Sequence, residues 1–149
     1  MSRLRRLLPL LLPAALAVLV VLPLVAQDDK PKGKKYAVLV GVTEYTHAKL
    51  PDLRYTENDV EELARLLRRK GAGLTQVDLL TTTRGNDRAA ARPTAANVRA
   101  ALKRVLDKVN KHDTVLVALA GHGVQLKVED PKDKKAQRDE AFFCPADAG

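Results

Sequence analysis

Short, almost continuously apolar runs alternate with amphipathic stretches through the middle of this 149-residue chain. Runs of this length without polar interruptions are typical of strands that are buried on both faces of a sheet. The stretches between them place apolar residues three and four positions apart, which is the spacing of a helix with one buried side. The pattern predicts strands at residues 36–42, 77–82 and 114–120, and helices at residues 56–70 and 94–109.

Polar residues mark where these elements start and stop. Thr56 is a candidate N-cap of the first helix, with Asp59 three residues further on as in a capping box, and glycines supply the stop. Thr94 is a candidate N-cap of the second helix. We predict a loop at residues 83–93.

The order β-α-β-α-β predicts an α/β fold in which a parallel sheet carries helices on both faces. Ligands of such sheets collect at the carboxyl ends of the strands. His122 follows directly after the third predicted strand and is therefore expected at this edge.

The first 26 residues do not continue this pattern. A short basic start leads into a long apolar run that ends before two aspartates, which is the pattern of an export signal. Because the run has about the ~20 residues that a membrane span requires, an uncleaved anchor over residues 7–26 is the alternative. We therefore predict a periplasmic or extracellular protein, or a membrane-anchored one, with a leader at residues 1–26, a polar linker at 27–35 and a domain at 36–149.

Charge and cysteine content narrow the classes of function. Residues 1–26 hold three arginines and no acid, so without them the net charge falls from +8 to +5. The lysines cluster at residues 30–35 and 132–135 without interleaved aromatic residues, which favours solvated linkers over nucleic-acid binding. Cys144 is the only cysteine, which excludes an internal disulfide. We predict no nucleic-acid partner and no membrane contact beyond an uncleaved leader, and the oligomeric state stays open.

A histidine lies between two glycines, Gly121 and Gly123, at the end of the third strand. An imidazole titrates near neutral pH, and without neighbouring side chains to block a substrate it is suited to proton transfer. The alternative is a turn in which both glycines supply positive φ and His122 faces water.

Four blocks, in the same order, resemble the large-subunit region of caspase-like cysteine peptidases, and in particular the bacterial and metacaspase-type branch. The blocks are residues 36–42, 53–60, 120–125 and 139–147. The resemblance covers the chain after its leader and linker, and it implies a caspase-like fold that is incomplete at the C-terminus.

The resemblance implies hydrolysis of peptide bonds in a protein or peptide substrate by a cysteine–histidine dyad. His122 matches the histidine of the family, and Gly123 matches the residue whose backbone N–H forms half of an oxyanion hole. The cysteine of the family ends a further strand, so we expect the nucleophile beyond residue 149. Cys144 is the alternative nucleophile, although a free cysteine is most often a small buried hydrophobe.

The resemblance also offers two residues for the pocket that receives the residue before the cleaved bond. Asp59 matches an acid that implies a preference for Arg or Lys, although a carboxylate in the first turn of a helix is also favoured by the helix dipole. Arg54 is the rival, because caspases proper use a nearby arginine to select aspartate.

Some metacaspases bind calcium in the acidic stretch that matches residues 129–140 here. Calcium needs six to eight oxygen ligands arranged in space, and lysines are interleaved among these acids. We therefore predict a solvated hairpin or loop and no cofactor, with calcium as the alternative.

Two functions from different classes follow from these observations. The first is an exported cysteine endopeptidase of the caspase type, or its N-terminal part. The second is a non-catalytic caspase-like module that binds a protein partner through an unpaired strand beside residues 114–120.

Overall fold

The computed structural model describes residues 33–47, 49–131 and 133–149, without the side chains of residues 133–135. The predicted leader and most of the predicted linker lie outside the described residues, so both stay predictions. No helix within the described ranges has the length and hydropathy to span a membrane.

Eight strands and α-helices follow one another along the described chain. They are β1 Lys35–Gly41, α1 Thr56–Leu67, β2 Gln76–Thr81, α2 Thr82–Asp87, α3 Ala95–Leu106, β3 Thr114–Ala120, β4 Gly123–Asp130 and β5 Asp133–Phe143. The third strand has its predicted bounds, whereas β1 and β2 each begin and end one residue earlier than predicted. The helix α3 ends at Leu106, before the predicted limit, although Val109 still packs against the core.

The first three strands form one parallel sheet in the order β2-β1-β3. Leu39, at the middle of β1, is paired with Leu79 of β2 and with Ala118 of β3. β1 is therefore the central strand, and its residues from Tyr36 onward are buried on both faces. The predicted α/β architecture with a parallel sheet is confirmed.

Alternate residues of β1 enter two separate cores, because successive side chains of a strand point to opposite faces. On one face, Val38 and Val40 pack with Ala101 and Val105 of α3. On the other face, two further β1 residues pack with α1; this second core contains Ala37, Leu39, Val60 and Ala64. The two helices thus cover opposite faces of the sheet, as predicted.

The loop predicted at residues 83–93 is wrong over most of its length. The helix α2 and a 3-10 turn at Ala89–Ala91 occupy this stretch. The hydroxyl of Thr81, the last residue of β2, accepts a hydrogen bond from the Arg84 N–H at 3.2 Å and so caps α2. The sequence signal for the start of α2 is therefore Thr81, an N-cap residue at the end of a strand. The spacing of apolar residues did not indicate this helix.

The predicted caps have different outcomes. Thr94 accepts a hydrogen bond from the Asn97 N–H and caps α3 as predicted. Thr56 is instead the first residue of α1, and its hydroxyl donates to the Val42 carbonyl at 2.8 Å. Because the Thr56 hydroxyl is bonded to the Val42 carbonyl, it does not cap α1, and the N-cap prediction for Thr56 is wrong. The same hydrogen bond holds the start of α1 against the end of β1.

The last two strands form an antiparallel hairpin, which confirms the hairpin interpretation of the acidic stretch. Gly123 pairs with Phe143 at the open end of the hairpin, and the register shifts between Glu129 and Asp130 near its tip. The open end lies directly after β3, so the hairpin brings residues 143 and 144 back to the carboxyl edge of the sheet.

Candidate functional site

The carboxyl ends of β1 and β3 meet at one edge of the sheet. The Val42 N–H donates to the Ala120 carbonyl at 2.9 Å, which extends their pairing just beyond both strands. The loop after β1 and the turn after β3 therefore start side by side. His122 lies in that turn and is partly exposed.

The His122 side chain is held by the loop that follows β1. Its Nε2 atom lies 2.9 Å from the carbonyl oxygen of Pro51. A carbonyl can only accept a hydrogen bond, so Nε2 carries the proton in this contact. In the neutral imidazole, Nδ1 then holds the lone pair and is the atom that can accept a proton.

Tyr45, from the same loop, holds the backbone of His122. The His122 N–H donates to the Tyr45 hydroxyl oxygen at 2.7 Å, and the two rings lie 5.2 Å apart between centroids. Burial raises the pKa of Tyr45, while the hydrogen bond from His122 acts in the opposite direction. The phenol therefore keeps its proton through the neutral pH range.

The sequence alone did not indicate the roles of Tyr45 and Pro51. Both lie in a loop without periodicity, and their contacts with His122 span more than 70 residues of chain. The sequence shows only that an aromatic residue, Tyr45, lies a few positions after a buried strand. This position does not indicate which residue it contacts.

The two glycines beside His122 differ in what they do. Neither has positive φ, since within the described residues only Gly71 and Gly73 do. A Cβ atom at Gly121 would lie 2.9 Å from the Phe143 ring and 3.0 Å from the Tyr45 hydroxyl. The turn with two positive φ angles is therefore wrong, and Gly121 is required by close packing.

Gly123 leaves its backbone accessible. A Cβ atom there would meet only the Phe142 carbonyl oxygen, at 3.5 Å. The Cys144 N–H donates to the His122 carbonyl at 2.9 Å, so Gly123 and Phe143 form a non-hydrogen-bonded pair of the ladder. The Gly123 N–H therefore points away from β5.

Arg54 lies in the loop between β1 and α1 and Asp59 lies on α1, and both are exposed. Asp59 is in the first turn of α1, which the Thr56 bond holds against the end of β1. The same helix start is joined to the first turn of α2, because the Glu57 carboxylate accepts from the Thr83 N–H at 3.1 Å. Both candidates thus lie near the carboxyl edge of the sheet, and their positions do not decide which of them would bind the residue before the cleaved bond.

Cys144 is 5% exposed and follows β5 directly. A nucleophilic thiol needs access to substrate and an environment that favours the thiolate. Cys144 is instead buried, as expected for a free cysteine that packs as a small hydrophobic residue.

The acidic residues of the hairpin do not gather into a cation site among the described side chains. Asp139 pairs with Lys127 and Glu140 with Leu126 across the strands, and Glu140 also forms an ion pair with Arg138. Within the described ranges, no three His, Cys, Asp or Glu residues come together as metal ligands.

Replacing Tyr45 by phenylalanine removes the acceptor of the His122 N–H and leaves that partly buried donor without a partner. We expect the free energy of unfolding to fall by about 1–2 kcal/mol, measured by urea titration. Tyr55→Phe is the matched control, because Tyr55 is 68% exposed and its hydroxyl has no hydrogen bond to the described residues. Equal stability of the two variants would contradict the role given to Tyr45.

The sequence of the chain was compared with known protein families and with curated proteins, and it matches both. The family described as "Metacaspase, peptidase C14 domain" matches residues 35–149. Metacaspase-4 of Arabidopsis thaliana is 32% identical over 109 residues, which is 72% of this chain and 25% of the relative. Metacaspase-6 of the same plant is 31% identical over 114 residues, which is 76% of this chain and 29% of the relative. The chain thus spans less than a third of the length of these curated relatives.

Proposed function

Because the chain belongs to the metacaspase family of C14 peptidases, we propose that it carries the histidine half of a cysteine endopeptidase. Membership confirms the family that the four sequence blocks resembled. The observation that carries the proposal is the Nε2 contact of His122 with the Pro51 carbonyl, since it leaves Nδ1 as a base at the edge of the sheet.

The proposed reaction uses a cysteine from polypeptide outside these 149 residues. Nδ1 of His122 accepts the thiol proton, and the thiolate sulfur attacks the carbonyl carbon of the peptide bond. The imidazolium then returns the proton to the leaving amine as the C–N bond breaks, which leaves a thioester. Water hydrolyses the thioester and restores the thiol.

The Gly123 N–H is proposed to donate to the oxygen that becomes negative during the attack. It points away from β5, and no side chain of its own shields it. Donors of this kind act in the transition state, where the loss of one costs about 100-fold or more in rate.

Asp59 is proposed to select Arg or Lys before the cleaved bond. Its carboxylate is exposed at the start of α1 and has no hydrogen bond to the described residues, so its charge is available to a cationic side chain. Arg54 has the opposite charge and would select aspartate, and the choice between them is an experimental one.

The protein as its gene encodes it should be assayed with peptide reporters that differ only in Arg, Lys or Asp before the cleaved bond. We expect hydrolysis after Arg and Lys, and Asp59→Asn should lower kcat/KM for them by about 10- to 100-fold, through loss of a charge-assisted contact. Arg54→Gln is the matched control and should leave these values unchanged. Hydrolysis after Asp that Arg54→Gln removes would contradict the assignment of Asp59.

A non-catalytic protein-binding module is the second candidate. β3 is an edge strand of the described sheet, and Leu116, Val117 and Leu119 on it are 39%, 44% and 46% exposed. An apolar edge strand can pair with a strand of another chain. Absence of hydrolysis with every reporter, from folded protein, would favour this candidate over the peptidase.

A further inference from the structure

Four arginines converge on a cavity at the side of the sheet opposite β3. The cavity has a volume of about 250 Å³ and lies along β2, the other edge strand of the described sheet. We call it the arginine cavity, and it is lined by Arg68, Arg84, Arg88 and Arg104 together with Asp78 and apolar residues. No residue of the proposed peptidase site lines it.

The arginines reach the cavity from different elements. Arg68 directly follows α1, and Arg104 lies on α3, which covers the other face of the sheet. Arg84 is on α2 and Arg88 follows it. The four arginines therefore come from both faces of the sheet and from the carboxyl end of β2, instead of lying along one helix.

Two of the arginines are fixed by contacts within the cavity. Arg104 Nη2 lies 3.2 Å from Asp78 Oδ2, and the other carboxylate oxygen of Asp78 accepts from Gln76 at 2.8 Å. Arg68 Nη2 donates to the Val77 carbonyl at 3.1 Å. These contacts hold two guanidinium groups in place and use both oxygens of Asp78.

The other two arginines have no ion pair to any described residue. Asp87 shares an adjoining shallow hollow with Arg84 and Arg88, but no ion pair joins it to either. Asp78 is the single acid that lines the cavity among the described residues. Four positive charges thus face one negative charge, and two guanidinium groups have their donors available.

This arrangement matches the chemistry of a phosphate group. Guanidinium groups bind phosphate oxygens through paired hydrogen bonds, and several of them can share one anion. A water molecule occupies ~30 Å³ of liquid, so a volume of about 250 Å³ accommodates one or two phosphate groups. Charged residues also protect an edge strand against pairing, but that role does not require four exposed arginines from different elements to line one cavity.

We propose that the arginine cavity binds an inorganic phosphate anion, with pyrophosphate as the probe. Binding to the described cavity is independent of the proposed peptidase function, because the two sites share no residue. We expect Arg84 and Arg88 to contribute most to anion binding, because no described residue accepts a hydrogen bond from their side chains.

Titration calorimetry of the full chain with pyrophosphate at fixed ionic strength tests this proposal. We expect saturable binding of one anion per chain, weakened at least tenfold, or about 1.4 kcal/mol, by the double change Arg84→Gln and Arg88→Gln. The matched control is Arg99→Gln with Lys111→Gln, which removes the same charge from exposed residues that do not line the cavity. The control should bind as the unchanged protein does.

Three outcomes would overturn the proposal. The first is the absence of saturable pyrophosphate binding, and the second is an equal loss of affinity in both double variants. The third is competition by a DNA duplex with pyrophosphate, together with an equal loss of affinity for the duplex in both variants. The last two outcomes would show general attraction to a basic surface in place of a site. Thermal unfolding of both variants confirms that the exposed substitutions leave the fold intact.

Discussion

Replacing His122 by alanine should lower kcat/KM for the Arg or Lys reporter of the proposed reaction by roughly 1,000- to 10,000-fold. The change removes the group that we propose as the base for the thiol proton and as the acid for the leaving amine, and general acid–base groups contribute effects of this size. The measurement is initial-rate hydrolysis by the protein as its gene encodes it. Circular dichroism of the variant should match that of the unchanged protein, because the imidazole is partly exposed and outside both cores.

Two control variants make the His122 result specific. His112→Ala should retain activity, because His112 is exposed in the turn before β3, at the opposite end of that strand. Cys144→Ala should also retain activity, because the thiol is 5% exposed. If Cys144→Ala abolished hydrolysis while the protein remained folded, the nucleophile would be Cys144 and the proposal of a cysteine outside these residues would fail.

Gly41→Val should destabilise the domain by about 3 kcal/mol. Even the first side-chain atom at this position would lie 2.7 Å from the Val60 side chain and 2.8 Å from the Thr56 carbonyl oxygen. Overpacking of a core costs typically 1–3 kcal/mol, and here the added atoms face the backbone of α1, which cannot rotate aside. Urea unfolding of both proteins measures the difference.

Gly123→Ala is the control for the Gly41 prediction. The added methyl group meets only the Phe142 carbonyl oxygen at ordinary contact distance, so the free energy of unfolding should change by less than about 0.5 kcal/mol. Similar losses in both variants would show that the general cost of replacing glycine, and not the contact of β1 with α1, explains the effect.

The sequence predicted the sheet and its two covering helices because each left a periodic signal. The residues of β1 are apolar without interruption because helices cover both of its faces. α3 combines a threonine cap with one apolar stripe, and both features are local. The position of His122 followed from the same reasoning, since parallel strands end at one edge.

The remaining parts of the site depend on contacts between distant segments. The capping of α1 differed from prediction because the Thr56 hydroxyl donates to the Val42 carbonyl, which no helix rule anticipates. α2 was missed because its cap is the last residue of a strand. The contacts of His122 with Tyr45 and Pro51 join a loop to a turn, and sequence spacing carries no information about such contacts.

Two segments of the chain, the loop after β1 and the residue after β5, hold His122 at three different atoms. Its amide donates to Tyr45, its carbonyl accepts from Cys144, and its ring donates to Pro51. The imidazole is thus preorganised: the entropy of orienting it is lost during folding, and no reorientation is needed when a substrate arrives. We therefore expect a single ring orientation in the resting protein, visible as one set of imidazole resonances in nuclear magnetic resonance spectra.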